Sequence, residues 1–215
     1  MATQTMTGST GLEGTASTSF NRFAGMAGVV AGVAGFLYSI ALVVLKEPLY
    51  YSILLMIGGL GTVALMVALY LNLRRVEPGS AQLGLLVGVF AALGSVIHGG
   101  YDLGNAINPP AAANADLPSQ IDPRGLLTFG LAAVAVFAFS WLITRGDRLP
   151  KSLGYVGYLL AVLLLVIYLA RLIILDPGNL AVLIPAAVTG FIVNPVWNIW
   201  AGLSLLRNRT EAAAV

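Results

Sequence analysis

The chain has 215 residues, of which 58% are hydrophobic and 9% charged, with a mean hydropathy of +0.90 and a formal net charge of +2. A soluble domain carries roughly 25% charged residues, so this composition excludes a water-facing globular surface and points to an integral membrane protein. There is no cysteine, which excludes disulfides and thiolate chemistry, and the few basic residues, scattered over short loops, give no footprint for nucleic acid.

Residues 1–19 are rich in Thr, Ser and Gly, carry the single charge of Glu13, and are expected to form a disordered tail. They lack the arginines of a transit peptide and the basic n-region of a cleaved signal. Six apolar runs follow, at 23–45, 53–73, 82–107, 126–144, 153–175 and 180–206, each close to the ~20 residues that cross a hydrocarbon layer. The expected fold is therefore all-α, a bundle of six transmembrane helices over 20–208, with a short tail at 209–215. A β-barrel would alternate apolar and polar residues, and these runs do not. Turn chemistry separates the runs: Lys46-Glu47-Pro48, Glu77-Pro78-Gly79, Gly146-Asp147 ahead of Leu149-Pro150, and Asp176-Pro177-Gly178. The connection 108–123 is the one long loop, rich in Pro and Ala, and reads either as a lid over the preceding stretch or as a plain connector.

Six spans put both termini on one side of the membrane. That side receives Arg22, Arg74, Arg75, Arg145, Arg148, Lys151, Arg207 and Arg209; the other receives Lys46, Arg124 and Arg171. Basic residues are retained in the cytoplasm, so both termini are expected there. Glu47, Asp102, Asp116, Asp122 and Asp176 then fall on the outer side.

Small residues mark the packing faces. Gly28 and Gly32 form a GxxxG pair in the first run, with Gly25 and Gly35 beside them, and Gly84 and Gly88 repeat the spacing in the third, followed by Ala91, Ala92 and Ser95. Such residues let helix backbones approach in lipid, so the first and third helices are expected to be neighbours, a homodimer seam being the alternative. The two halves share no motif that aligns, so the inverted repeat of many transporters is not apparent. Pro185 and Pro195 are expected to kink the last helix.

The polar constellation centres on His98, the only histidine. His98 and Asp102 are four apart and share a helix face, with Tyr101 and Asn105 close by. At ~1.5 Å per residue from the outer end of the run, His98 lies roughly 13 Å deep and Asp102 roughly 7 Å. Arg171 of the fifth run comes out about 6 Å deep, with Tyr168 one turn below. An Asp102–Arg171 ion pair would satisfy two charges that are costly inside a bilayer; the alternative is that Arg171 snorkels to the headgroups. His98, Tyr101, Asp102, Asn105, Tyr168 and Arg171 are thus the candidate ligand-binding residues. If the protein is an enzyme, His98 and Asp102 are its acid–base pair. One histidine with carboxylates mostly in loops makes no metal site; a pigment or haem held by His98 alone is left open, and no other cofactor is indicated. In the sixth run Asn194 and Asn198 share a face beside Pro195, while Trp197 and Trp200 read as an interfacial aromatic belt.

The stretches Leu149-Pro150 and Leu153-Gly154-Tyr155-Val156-Gly157, then Asn194-Pro195-Val196-Trp197, Ala201-Gly202-Leu203 and Leu205-Leu206-Arg207, cover the last third of the chain. They resemble small six-helix bacterial membrane proteins of unknown function. That resemblance implies a bacterial inner membrane and no particular chemistry. The expected role is non-enzymatic: an accessory subunit of a membrane complex, or a holder of a small or lipidic ligand in a polar pocket of the outer leaflet. Its partners would be the bilayer, other membrane subunits or that ligand. An intramembrane enzyme acting on a lipid-soluble substrate and a small transporter are the alternatives.

Overall fold

Hydrocarbon offers no partner for backbone N–H and C=O groups, so an apolar run must satisfy them within itself, as a helix. The computed structural model describes residues 17–109, 126–174, 176 and 178–212, and among them every apolar run is helical and no strand occurs. The helices long and apolar enough to span a membrane are six: α1 (Thr18–Leu45), α2 (Pro48–Leu73), α3 (Pro78–Ile107), α4 (Thr128–Arg145), α5 (Lys151–Ile173) and α6 (Leu180–Arg207). The protein is an all-α, multi-pass membrane bundle. The N-terminal tail through residue 16 and the long connection at 110–125 lie outside the described residues.

Helix starts come earlier than the apolar runs suggest. Ser17 caps α1 by accepting from the Phe20 amide at 3.2 Å, so α1 opens at Thr18. Pro48 and Pro78 begin α2 and α3. A proline fits the first helical turn, whose N–H has no intrahelical partner, so residues that read as stops are starts. Ahead of Pro78, Glu77 accepts from the Gly79 and Ser80 amides. Asn179 caps α6, which continues helically to Ala212, through the expected tail boundary.

The helices run alternately up and down, and each packs on the next, α6 closing the ring against α1. Both termini therefore share one end of the bundle. The expected α1–α3 contact is corrected: the glycine face of α1 meets α6, and that of α3 meets α4. A Cβ on Gly202 would lie 2.5 Å from the Gly25 carbonyl oxygen and 2.8 Å from the Val29 amide nitrogen. One on Gly32 would lie 2.9 Å from the Pro195 carbonyl. Gly84 fits under the Phe139 ring, and Gly88 under Met66 and Ala135. A GxxxG pair declares a thin face; the loop lengths, which keep sequential helices adjacent, decide which helix lies against it.

Packing differs between the two halves of the bundle. Leu65, Leu69, Leu73, Phe139, Leu142, Ile143, Leu153, Leu160, Trp197 and Leu205 are fully buried, and all lie in the half nearer the termini. In the far half the buried positions are mainly small: Ala34, Ser39, Ser52, Gly59, Gly99 and Thr189, with Leu164, Ile167 and Val182 the larger exceptions. The far half also holds three π-helical segments, Ile40–Leu45, Leu126–Gly130 and Thr189–Val193. The last sits between Pro185 and Pro195, each of which deletes a backbone donor, so the expected kink is spread over a widened turn. Several hydroxyls are satisfied locally, Ser52 donating to the Pro48 carbonyl at 2.6 Å, Thr62 to Gly58 at 2.8 Å and Ser140 to Val136 at 2.6 Å, whereas that of Thr189 is buried without a partner.

Gly202→Ala is expected to lower the melting temperature in detergent, since overpacking against backbone costs about 1–3 kcal/mol. Gly104→Ala, which meets nothing within 4 Å, is expected to leave it unchanged or raise it, because alanine outranks glycine in a helix by ~1 kcal/mol. Equal effects at the two positions would mean that the α1–α6 seam is not the close one. The hydrogen bonds from Ser80, and the Gly79 amide, also hold the Glu77 carboxyl below its usual 4.5. A carboxyl whose folded pKa is depressed stabilises the fold above its unfolded pKa, and that contribution fades as pH falls through the folded value. The difference in melting temperature between wild type and Glu77→Gln should therefore be present at neutral pH and vanish in acid well below 4.5; a difference that persists there would refute the ionised cap.

Candidate functional site

On α3 the residues packed on α4 are Gly84 and Gly88. The same stripe continues at helical spacing through Ala91, Ser95, His98 and Asp102. Near its end His98 Nε2 lies 3.0 Å from Asp102 Oδ2, with the two side chains 17% and 18% exposed. The pair is thus neither sealed in the core nor free on the surface. Helical spacing alone explains it: an i,i+4 pair meets on one face. Gly99, between them in sequence, is the contact with α2, where a Cβ would lie 2.7 Å from the Ser52 carbonyl. Around Gly100 and Gly104 there is open space.

The π-helical turn Leu126–Gly130, which begins α4, packs against both α3 and α5. On α5 the buried stripe Leu153, Gly157, Leu160, Leu164, Ile167 is continued by Arg171. The Arg171 guanidinium lies 5.8 Å from the centre of the Phe129 ring, on that turn. The expected Asp102–Arg171 ion pair is corrected accordingly: the partner of Asp102 is His98. The estimated depths matched, but depth says nothing of azimuth, and in the ring α4 stands between α3 and α5. Tyr168, one turn below Arg171, is half-buried, as is Asn105 one turn beyond Asp102. Tyr101 is 62% exposed, at the outer surface of α3.

Chemically, a carboxylate at hydrogen-bond distance from an imidazole fixes the ring's orientation. Nδ1 is left to address a ligand as donor or acceptor, depending on protonation. The same imidazole is the one nitrogen ligand available to a metal-centred pigment. Phe129 was missed by the sequence reading; a phenylalanine within an apolar run carries no signal, and a π turn cannot be told from an α turn by composition.

The tryptophan reading is also corrected. Trp197 is 1% exposed, in the core, not in an interfacial belt. Its indole packs where a Cβ on Gly157 would lie 2.7 Å from Nε1, so the missing side chain at 157 makes its room. Asn198 Nδ2 donates to the Asn194 carbonyl and to Asn194 Oδ1, each at 2.9 Å. Both bonds lie within α6, and Trp197 Nε1 and Asn198 Oδ1 are buried without a hydrogen-bond partner. Asn72 bridges α1 and α2: its Nδ2 donates to Asn21 Oδ1 at 2.9 Å and to the Ala68 carbonyl at 2.8 Å.

Comparison of the chain with protein-family models, with curated proteins and with solved structures gives no match in any of the three.

Proposed function

We propose that the protein binds a small or lipidic ligand at the end of the bundle away from its termini, with His98 and Asp102 as the polar anchor, and that it works as a non-enzymatic binder or accessory subunit. The observation that carries this reading is the half-buried His98–Asp102 pair in the thinly packed half of the bundle. Polar side chains cost stability in a low-dielectric layer unless they serve a purpose there, so a purely structural bundle gains nothing from the pair at that position. Arg171 over Phe129 adds a cation and a ring from the far side of the π turn, and Asn105 and Tyr168 add polar groups on either flank. Tyr101 belongs to this reading only as a contact for a ligand that approaches from the bilayer.

A second reading rests on the 3.0 Å separation itself. A carboxylate-oriented imidazole is a general acid–base unit, and an intramembrane enzyme acting on a lipid-soluble substrate would use it. The membrane is read as a bacterial cytoplasmic membrane with both termini inside. The support is the gathering of Arg22, Arg74, Arg75, Arg145, Arg148, Lys151 and Arg207 at the terminus end, together with the sequence resemblance.

The ligand reading is tested by a mass-spectrometric inventory of what stays bound after gentle detergent extraction. His98→Ala is expected to lose a bound small molecule that wild type retains, with the melting temperature changed by only a few degrees. An unchanged inventory with a large loss of stability would make His98 a packing residue and sink the proposal. Turnover of an added lipid that depends on His98 would favour the enzyme. Orientation is tested separately, and the absence of native cysteine makes the test clean. A cysteine at Asn108 should react with an impermeant thiol reagent on intact cells, and one at Ser80 should not; the reverse pattern would invert the topology.

A further inference from the structure

A second polar concavity lies at the opposite end of the bundle, where the α2–α3 turn meets the α4–α5 connection. Its volume is about 680 Å³, with Asn72 and Leu73 as its floor and Arg75, Arg145, Arg148 and Lys151 around it, and with Asp147 the one carboxylate among the described lining residues. Its floor is firm: Leu73 is fully buried and Asn72 is hydrogen-bonded to Asn21. One wall is firm too. The Arg145 guanidinium stacks on the Trp141 ring, 4.0 Å from its centre, which fixes the plane of its donors and reduces the entropy lost on meeting an anion. The other wall is the start of α5. Lys151 is its first residue, no side chain caps its first amides, and its first turn holds no acidic residue. The positive end of the 23-residue helix therefore adds to the cationic side chains.

We infer that this cleft is a binding site for a phosphate group, separate from the His98–Asp102 site. Planar guanidiniums, an ammonium and a helix N-terminus converge on a phosphate's several oxygens more fully than on a single carboxylate. The volume is that of a small-molecule site and exceeds what a bare phosphate ion fills. The cleft opens at the level where lipid headgroups lie, so the phosphodiester of an anionic lipid in that leaflet and a free phosphate compound from the adjoining water are the two sources of this chemistry.

Native mass spectrometry of the full chain in detergent separates them, with phosphatidylglycerol, phosphatidylcholine and inorganic phosphate as probes. Wild type is expected to retain phosphatidylglycerol, and the pair Arg148→Gln with Lys151→Gln to weaken that retention about tenfold or more, on the order of the cost of removing two cations from a headgroup contact. Arg22→Gln, a cation of the same end but outside the cleft, should retain it like wild type. Asp147→Asn should retain it more strongly, a gain that a damaged fold would not produce. If inorganic phosphate binds with the same dependence on these variants and the lipid does not, the source is the water phase and the site stands. Binding of neither probe would overturn the inference. So would equal loss in Arg22→Gln, or equal retention of phosphatidylcholine, since either would show a diffuse surface charge rather than a site.

Discussion

Lipid tails are as apolar as leucine, so a helix gains nothing by turning apolar side chains inward from the bilayer. What remains is contact: backbones that come close enough for dispersion to accumulate over many atoms. The architecture follows from that constraint. Gly25, Gly28 and Gly32 bring α1 down onto the Gly202 face of α6, Gly59 and Gly99 bring α2 and α3 together, and Gly154 and Gly157 seat α5 on α4. The large exposed apolar side chains, Phe90, Ile97, Phe137 and Leu159 among them, are left to the lipid. An inside-out surface of this kind would be an aggregation hazard in water; in a bilayer it is the solvated face.

Against this background the uneven filling of the bundle gains meaning. The terminus half is locked by leucines, Phe139 and the indole of Trp197 in the space left by Gly157. The other half is held mainly by small residues, contains the three π-helical segments found among the described residues and carries the His98–Asp102 pair. Widened turns recur at functional sites because an inserted residue re-aims side chains and frees a carbonyl. Here the π turn at the start of α4 sets Phe129 between α3 and α5, and so sets the spacing of the polar groups on either side of it.

How much of this was legible in the sequence differs from residue to residue. The six spans were legible, because length and apolarity are forced by the thickness of the layer. The His98–Asp102 contact was legible, because spacing along one helix fixes a shared face. Contacts between helices were not. Gly28 announces a thin face without naming α6, and Arg171 matches Asp102 in depth while α4 stands between them. Trp197 lies far enough along α6 to look interfacial, and only the gap at Gly157, on another helix, shows that it turns inward. Asn72 stands alone in an apolar run, and a single amide has no periodicity to betray its partner. The arginines of the α2–α3 and α4–α5 connections were read for their side of the membrane. That they converge on one cleft required knowing that α2 and α4 end beside each other.

Closure of the ring through α1 and α6 has a consequence for biogenesis. The seam joins α1 to α6, which is made after the four helices between them. Until α6 leaves the ribosome, the glycine groove of α1 has no partner, while sequential neighbours from α2 to α5 can already pair as they emerge. Such a contact, spanning nearly the whole chain, is the slowest to form, and an open groove is the part of an assembling bundle most exposed to wrong partners. Truncation within α6 would therefore do more than remove one helix. It would leave a five-helix intermediate whose first helix carries a face shaped for close backbone approach, the feature on which quality-control proteases and stray helices compete.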